Sequence, residues 1–393
     1  MPDTIKTRNL PFHGFTWRID DRWLSSDPGL DPVKPLFDRI WETYYQPLHV
    51  NVVRFHIDVM AFDPSSKGEA AARGNALLVN RLVSFCRYAE SRGVWLVPML
   101  MGSGQYRQGK EGQYPARVYH FLRAFIRELG VHGIQRLYDR IVLYQIEDEM
   151  NHPVRHAFWP REVVTRMLQD ACRQVRRAEE DEGAPSRVPR MAIFSGDWMF
   201  VKDLFRRPHD YVGMIRSLQP YRFDPPGDLL AFLEDDQFEV IGLDSFPGIY
   251  CPFARFPFTV NLVVYLCERY GLKSSYHKHW LVTETGYATA HPGHRGELNQ
   301  LHFYQVVFRG LSNYFWRGKG RESGFLGLLW YCFNDQPLRP RLYPFQEVRF
   351  GIVKPMPSSS WFATYPARPK AAWTWLHTAL EDPGVQRPVL REG

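Results

Sequence analysis

The 393-residue chain is expected to be an α/β protein of the (β/α)8 TIM-barrel class, a single domain over residues 1–393 with loop insertions at the face where its strands end. Three observations predict this. Eight short apolar runs recur about forty to fifty residues apart. They are continuously apolar, without the strict alternation of a half-exposed strand, as suits strands covered on both faces. Segments of helical period lie between them, and an eightfold strand–helix alternation favours a closed parallel barrel. An open doubly wound sheet is the structural rival, but no GxGxxG follows the first run to support it.

The first run, FHGFTW (12–17), precedes PVKPLFDRIWETYYQPL (32–48), whose apolar residues recur every three or four positions. VNVVRFHID (50–58) follows as strand two, then the helical ALLVNRLVSFCRYAESRG (76–93), then VWLVPMLMG (94–102) and RIVLYQIED (140–148) as strands three and four. REVVTRMLQDACRQVRRA places Val163, Val164, Met167, Leu168, Ala171 and Val175 on one stripe. RMAIFSG (190–196), FEVIGLDSF (238–246) and HWLVTET (279–285) continue the strands, and GELNQLHFYQVVFRGL carries another stripe through Leu298, Leu301, Val307, Phe308 and Leu311. FLGLLWYCF (325–333) is the eighth strand. The proline-rich stretch 337–369 reads as an extended excursion, and KAAWTWLHTAL (370–380) as a last helix sealing the barrel, with Trp373 and Trp375 in its packing. Gly93, Gly130 and Gly271 are expected to end three helices in the left-handed conformation.

Composition excludes several classes. Hydrophobic residues make up 45% of the chain, ample for a large core. Net charge is +7, yet 49 basic residues face 42 acidic ones along the whole length. The densest cluster, RQVRRAEEDE (173–182), alternates sign like a solvated helix face, so no nucleic-acid partner is expected. Cys86, Cys172, Cys251, Cys267 and Cys332 are odd in number and form no CxxC pair, which indicates neither a disulfide framework nor a zinc site. No window reaches the length of a membrane span, and the start has no apolar signal core; a soluble, cytoplasmic protein without a membrane partner is expected.

Chemistry in such a barrel sits where the strands end. Those positions hold Arg54, His56 and Asp58 after strand two, and Glu147, Asp148, Glu149 and Asn151 after strand four. Strand six offers Asp244 and Tyr250, strand seven Glu284, and strand eight Trp330, Asn334 and Asp335. Three consecutive acids ending an apolar strand repel one another and lose solvation, an arrangement stability alone does not select. Two carboxyl groups facing one pocket from non-adjacent strands are what retaining glycoside hydrolysis needs: one attacks the anomeric carbon, the other protonates the leaving oxygen and then deprotonates water. Glu149 suits the proton-holding role and Glu284, within reach of Arg54 if strands two and seven both aim inward, the ionised one. Glu147 is expected to be a buried structural acid. Trp198, Phe246 and Tyr250 supply aromatic surface near the same rim. The histidines of YHKHW (276–280) precede strand seven, at the opposite end, and are expected in a solvated loop, while His291 and His294 follow it on the catalytic side without a metal-ligand spacing.

YQIEDEMN (144–151) and LVTETGYAT (281–289) resemble the strand-four and strand-seven signatures of the clan A retaining glycoside hydrolases, and NVVRFHID, Trp330 and FGIV (350–353) are similar in order and spacing. The resemblance implies Glu149 as general acid/base, Glu284 as nucleophile, Arg54 holding the nucleophile, Tyr250 or a nearby strand-six group supporting it, and Trp330 as a sugar platform. It further implies a β-linked carbohydrate substrate and no metal or organic cofactor. The sequence departs from the family at Asp148, where an Asn amide usually donates to the sugar's 2-hydroxyl; an ionised aspartate only accepts. Asp148 is expected to accept from that hydroxyl and to strengthen proton binding at Glu149. Alternatives are a carbohydrate-binding barrel without catalysis, a transglycosylase using the same intermediate, and a lyase or aldolase whose acids hold a metal.

Overall fold

A computed structural model describes residues 12–17, 38–39, 41–65, 69–102, 112–131, 133–151, 160–196, 232–247, 256–289, 296–332, 353–355 and 367–381. Eight parallel strands close into a barrel in chain order, the last pairing with the first. They are β1 (Phe12–Trp17), β2 (Val52–Asp58), β3 (Trp95–Met101), β4 (Tyr144–Ile146), β5 (Arg190–Ser195), β6 (Val240–Ser245), β7 (His279–Thr285) and β8 (Phe325–Trp330). Each falls within its predicted run. The helices are α1 (Glu69–Ser91), α2 (Gln113–Val131), α3 (Ile134–Tyr138), α4 (Arg161–Asp181), α5 (Phe258–Tyr270), α6 (Glu297–Leu311) and α7 (Ala371–Glu381). Of the helix expected over 32–48, a helical turn at Trp41–Tyr45 is described. Within the predicted excursion, β9 (Val353–Pro355) and β10 (Ala367–Pro369) pair antiparallel.

Two apolar layers hold this arrangement. Phe12, Val52, Val97, Leu143, Met191, Ile193, Val240, Leu281 and Leu329 form a separate cluster that fills the barrel. Residues of opposite parity, including Val53, Phe55, Leu96, Tyr144, Ile146, Leu243 and Val282, join the helices in the larger outer core. α7 packs where β8 returns to β1: Trp373 Nε1 donates to the Tyr44 carbonyl at 3.3 Å, and the Trp375 ring meets Phe308 at 6.0 Å.

The helix ends differ in part from expectation. Gly93 is left-handed, at φ 70°. Gly130 lies inside α2, and the left-handed residue beyond that helix is Gly133, at φ 82°. Gly271 is extended; glycine is needed there because a Cβ would come within 2.1 Å of the Ser323 carbonyl oxygen. The 276–280 segment is also less solvated than expected. His277 is exposed, whereas Lys278 is buried, its ammonium donating to the carbonyls of Asp235 and Phe238 at 2.5 and 2.6 Å, and His279 opens β7 as a buried residue.

Where the strands begin, a second polar cluster ties helices to the barrel. Arg190 at the start of β5 pairs with Glu239. Glu179 on α4 accepts at one oxygen from Tyr138 Oη at 2.6 Å and from Val188 N at 2.9 Å. Burial pushes the Glu179 carboxyl from 4.5 up to about 7. A value raised on folding means that its contribution to stability is complete below pH 4.5 and is lost as pH rises through about 7. Glu179→Gln keeps the accepting oxygen and abolishes the titration. It is expected to match the parent near pH 4.5 and to exceed it at pH 8 by up to about 3 kcal/mol, at about 1.36 kcal/mol per unit. Urea unfolding across that range checks this; identical pH slopes would contradict it.

Candidate active site

The interior of the barrel changes character one residue above the apolar plug. Val52 is followed on the same face of β2 by Arg54, which is fully buried. A guanidinium there is sustainable only if its donors are met. Its Nε donates to Gln145 Oε1 on β4 at 2.5 Å, Nη1 donates to Thr16 Oγ1 on β1 at 3.0 Å and to Glu284 on β7, and Nη2 donates to Asp148 Oδ1 at 3.1 Å. Burial works against the Arg54 charge, while Glu284, Asp244 and Asp148 outweigh it and raise its proton affinity above the ordinary arginine range. One cation on β2 therefore gathers side chains from three other strands, β1, β4 and β7, with Asp148 just beyond β4.

Glu284 reaches this group through a local irregularity. Leu281 faces the interior and Val282 the helices, so regular alternation would return Thr283 inward and send Glu284 out. Instead the pairing slips: Leu243 is opposite Val282, but Asp244 is opposite Glu284, and a slip also separates Val282 from Thr285 along β8. β7 thus carries one extra residue, a bulge that turns Thr283 and Glu284 inward together. Thr283 Oγ1 donates to Asp244 Oδ1 at 2.7 Å, and its carbonyl accepts from Thr16 Oγ1 at 3.2 Å. Gly242, two residues before Asp244 on β6, makes room, since a Cβ there would lie 3.0 Å from the Thr283 methyl.

The three consecutive acids have three environments. Glu147 is buried and accepts from the Gly102 amide at 2.6 Å, joining the ends of β3 and β4. Asp148, 2% exposed, accepts from Arg54 and from Gln145 Nε2 at 3.3 Å. Glu149 is partly exposed, and its charge is felt at Asp244. This divergence comes from the backbone: Glu147 and Glu149 have φ of 59° and 40°, left-handed values costly for glutamate, of order 1–3 kcal/mol each. The same turns hold regular β4 to three residues.

Several expected site residues sit differently. Asn151 spends its amide on β5, its Nδ2 donating to the Ser195 carbonyl at 3.0 Å and its Oδ1 accepting from Ser195 N at 2.8 Å; it positions backbone. Asp58 accepts from Met60 N at 2.9 Å, capping a turn. His56 is partly exposed on β2, on the same face as Arg54 and two residues nearer the rim. Trp330 needs correction as a platform. It is fully buried, stacks on Tyr304 of α6 with centroids 4.2 Å apart, and donates from Nε1 to His13 Nε2 at 3.2 Å. The face against Tyr304 and the polar edge against His13 belong to the layer between barrel and helices. The next residue, Tyr331, has the opposite parity; its amide donates to the Thr285 carbonyl at 2.8 Å and its ring meets Phe246 edge-on. Sequence reasoning also missed Gln145, Thr16 and Thr283, although Gln145 stands two positions before Glu147 in the same signature. Tyr250, Trp198, His291, His294, Asn334 and Asp335 lie outside the described residues.

Among the described residues, no group of three or more His, Cys, Asp or Glu side chains has metal-holding geometry, and no helix is long and apolar enough to cross a membrane. Asp63, Arg117 and Asn75, near the same rim, form a separate surface cluster.

No protein-family model matches the sequence, and no curated protein does. Solved structures do share the fold. A GH1 β-glucosidase from Exiguobacterium antarcticum B7 superposes with a TM-score of 0.56 at 14% identity, covering 95% of this chain and 98% of its own. A family 1 β-glucosidase from Thermotoga maritima gives 0.54 at 14%, covering 92% and 86%. A β-glucuronidase from Ruminococcus gnavus gives 0.53 at 13%, covering 95% of this chain and 50% of its own, so the present chain spans half that enzyme's length. The shared architecture is a barrel that glycosidases use.

Proposed function

We propose that the protein is a retaining glycoside hydrolase acting on a β-linked carbohydrate, with Glu284 as nucleophile and Glu149 as general acid/base. The observation that carries this reading is the buried Arg54 held between Glu284 and Asp148 at the rim of the barrel. A guanidinium bonded to Glu284 favours its ionised form, as a nucleophile requires. Glu149 approaches from the other side of the rim, partly open to solvent, as a group that exchanges protons with water must be. In the first step the Glu284 carboxylate attacks the anomeric carbon while Glu149 gives its proton to the departing oxygen. In the second, Glu149 takes a proton from water, which displaces Glu284 and leaves the anomeric configuration unchanged overall. A transglycosylase would differ only in the acceptor of the second step. Asp148 enters this scheme as a partner of Arg54; its Oδ1 is engaged by Arg54 and Gln145.

Mass spectrometry after incubation with 2-fluoro glycosides of several configurations tests the assignment. The expected result is a covalent adduct on the peptide containing Glu284, which also identifies the sugar. An adduct on another carboxylate would overturn the nucleophile. Saturable glycoside binding with neither adduct nor turnover would replace the hydrolase by a carbohydrate-binding barrel.

A further inference from the structure

Among the described residues, the carboxyl groups around Arg54 outnumber the cations. Asp148, Asp244 and Glu284 are each less than a tenth exposed, and Arg54 is the guanidinium they share. Its ion pairs go to Asp148 and Glu284. Asp244, 1% exposed, receives the Thr283 hydroxyl at Oδ1 and no ion pair among the described residues. Glu284 from β7 lies beside it in register, Asp148 and Glu149 press on it from the end of β4, and Arg54 opposes them from β2. Among the described residues, three buried negative charges around one positive charge sum to −2, an excess that interiors relieve by binding protons.

We propose that Asp244 is the proton-bearing member of this cluster at neutral pH, and that it acts as a positioning residue whose Oδ2–H supports the carboxylate of its neighbour Glu284. Oδ1 accepts from Thr283, which leaves Oδ2 for the proton. A neutral Asp244 removes one of the three charges and leaves Arg54 to the two carboxylates bonded to it. The direction of its titration agrees: burial, then Glu284 and Asp148, hold the proton on Asp244 well above the ordinary aspartate range, against the opposing pull of Arg54. The role assigned toward Glu284 rests on the hydrolase reading; the protonation itself does not.

Two readouts separate these. The infrared difference between parent and Asp244→Asn at pH 8, where Glu179 is ionised, is expected to show loss of a protonated-carboxyl carbonyl band. An unchanged band would overturn the proposal whatever the protein hydrolyses. Should Asp244→Asn fail to fold, carbon-13 NMR of aspartate-labelled parent decides instead: one protonated-type carboxyl shift persisting at pH 8 supports it, and none refutes it. For the positioning role, adduct formation by the reactive fluoro glycoside is followed against pH. Asp244→Asn keeps a neutral donor and is expected to stay within about threefold of the parent while extending the alkaline limb; Asp244→Ala loses a charge-assisted hydrogen bond and is expected to fall about tenfold to a hundredfold. Equal failure of Asn and Ala at every pH would refute this role. Absence of any adduct in the parent, with the infrared band present, would count against the hydrolase reading alone.

Discussion

Arg54→Leu is expected to destabilise the protein by about 3–5 kcal/mol at neutral pH, the range for removing one partner of a buried ion pair. The reason is what remains. Arg54 is fully buried and bonded to Gln145, Thr16, Glu284 and Asp148; without it, Glu284 and Asp148 stay inside the barrel and lose the guanidinium that bonds both. The loss should be smaller in acid, because protonating those carboxyls relieves the same repulsion that Arg54 relieves in the parent. Arg54→Lys is the instructive comparison. An ammonium restores the charge but not the planar fork that meets three other strands at once, so it should recover part of the stability and little of any activity. Urea unfolding at pH 7 and in acid, on both variants, measures these differences. A Leu variant as stable as the parent at pH 7 would mean that the cluster is already neutral, and the ionised nucleophile would go with it.

Much of this architecture was legible in the sequence because barrel strands announce themselves by continuous apolarity and regular spacing. The same property hid side-chain direction. A strand covered on both faces carries no alternation, so FLGLLWYCF does not tell which of Trp330 and Tyr331 faces the barrel. The structure puts Trp330 against Tyr304, outside the ring of strands. Glu284 presents the reverse case. Its signature singles it out, whereas a period-two reading of HWLVTET points it at the helices; the bulge that brings it inward depends on the register with β6 and β8, which are separate in sequence. Asn151 reads as a pocket residue and Asp58 as either a pocket or a surface one, because polar groups at strand ends read alike, whether they contact a ligand or backbone groups.

The acidic run at 147–149 shows how far local chemistry reaches. Like charges in succession mark an unusual stretch, and its backbone is unusual too, with φ of 59° and 40° at Glu147 and Glu149. What the sequence could not show is that the three carboxyls are parted by those turns, one to a backbone amide and one to Arg54, leaving Glu149 the partly exposed member. Strain at a glutamate persists only where surrounding contacts over-determine it. Here the Met150 amide donates to the Ile193 carbonyl at 3.0 Å and Asn151 clamps Ser195, so the residues after Glu149 are fixed to β5.

On the proposed assignment, Glu149→Gln has an effect that depends on what leaves. A sugar or alkyl alkoxide needs a proton as the bond breaks, and losing a positioned acid costs about 10²–10⁴ in rate. A dinitrophenolate is stable without one, so adduct formation from such a glycoside should be nearly unaffected. The second step still lacks its base, and the Glu284 adduct should accumulate, giving a burst of phenolate followed by slow turnover. Added azide, which needs no deprotonation, should restore the second step. A structural role for Glu149 would behave otherwise: Gln preserves the shape and the left-handed backbone, and any general distortion would slow good and poor leaving groups alike. Glu149→Asn, a residue that adopts left-handed φ more readily, should fold at least as well and still lack the acid. Rates on an aryl glycoside series of graded phenol acidity decide the matter, and a loss independent of leaving group would remove Glu149 from the chemistry.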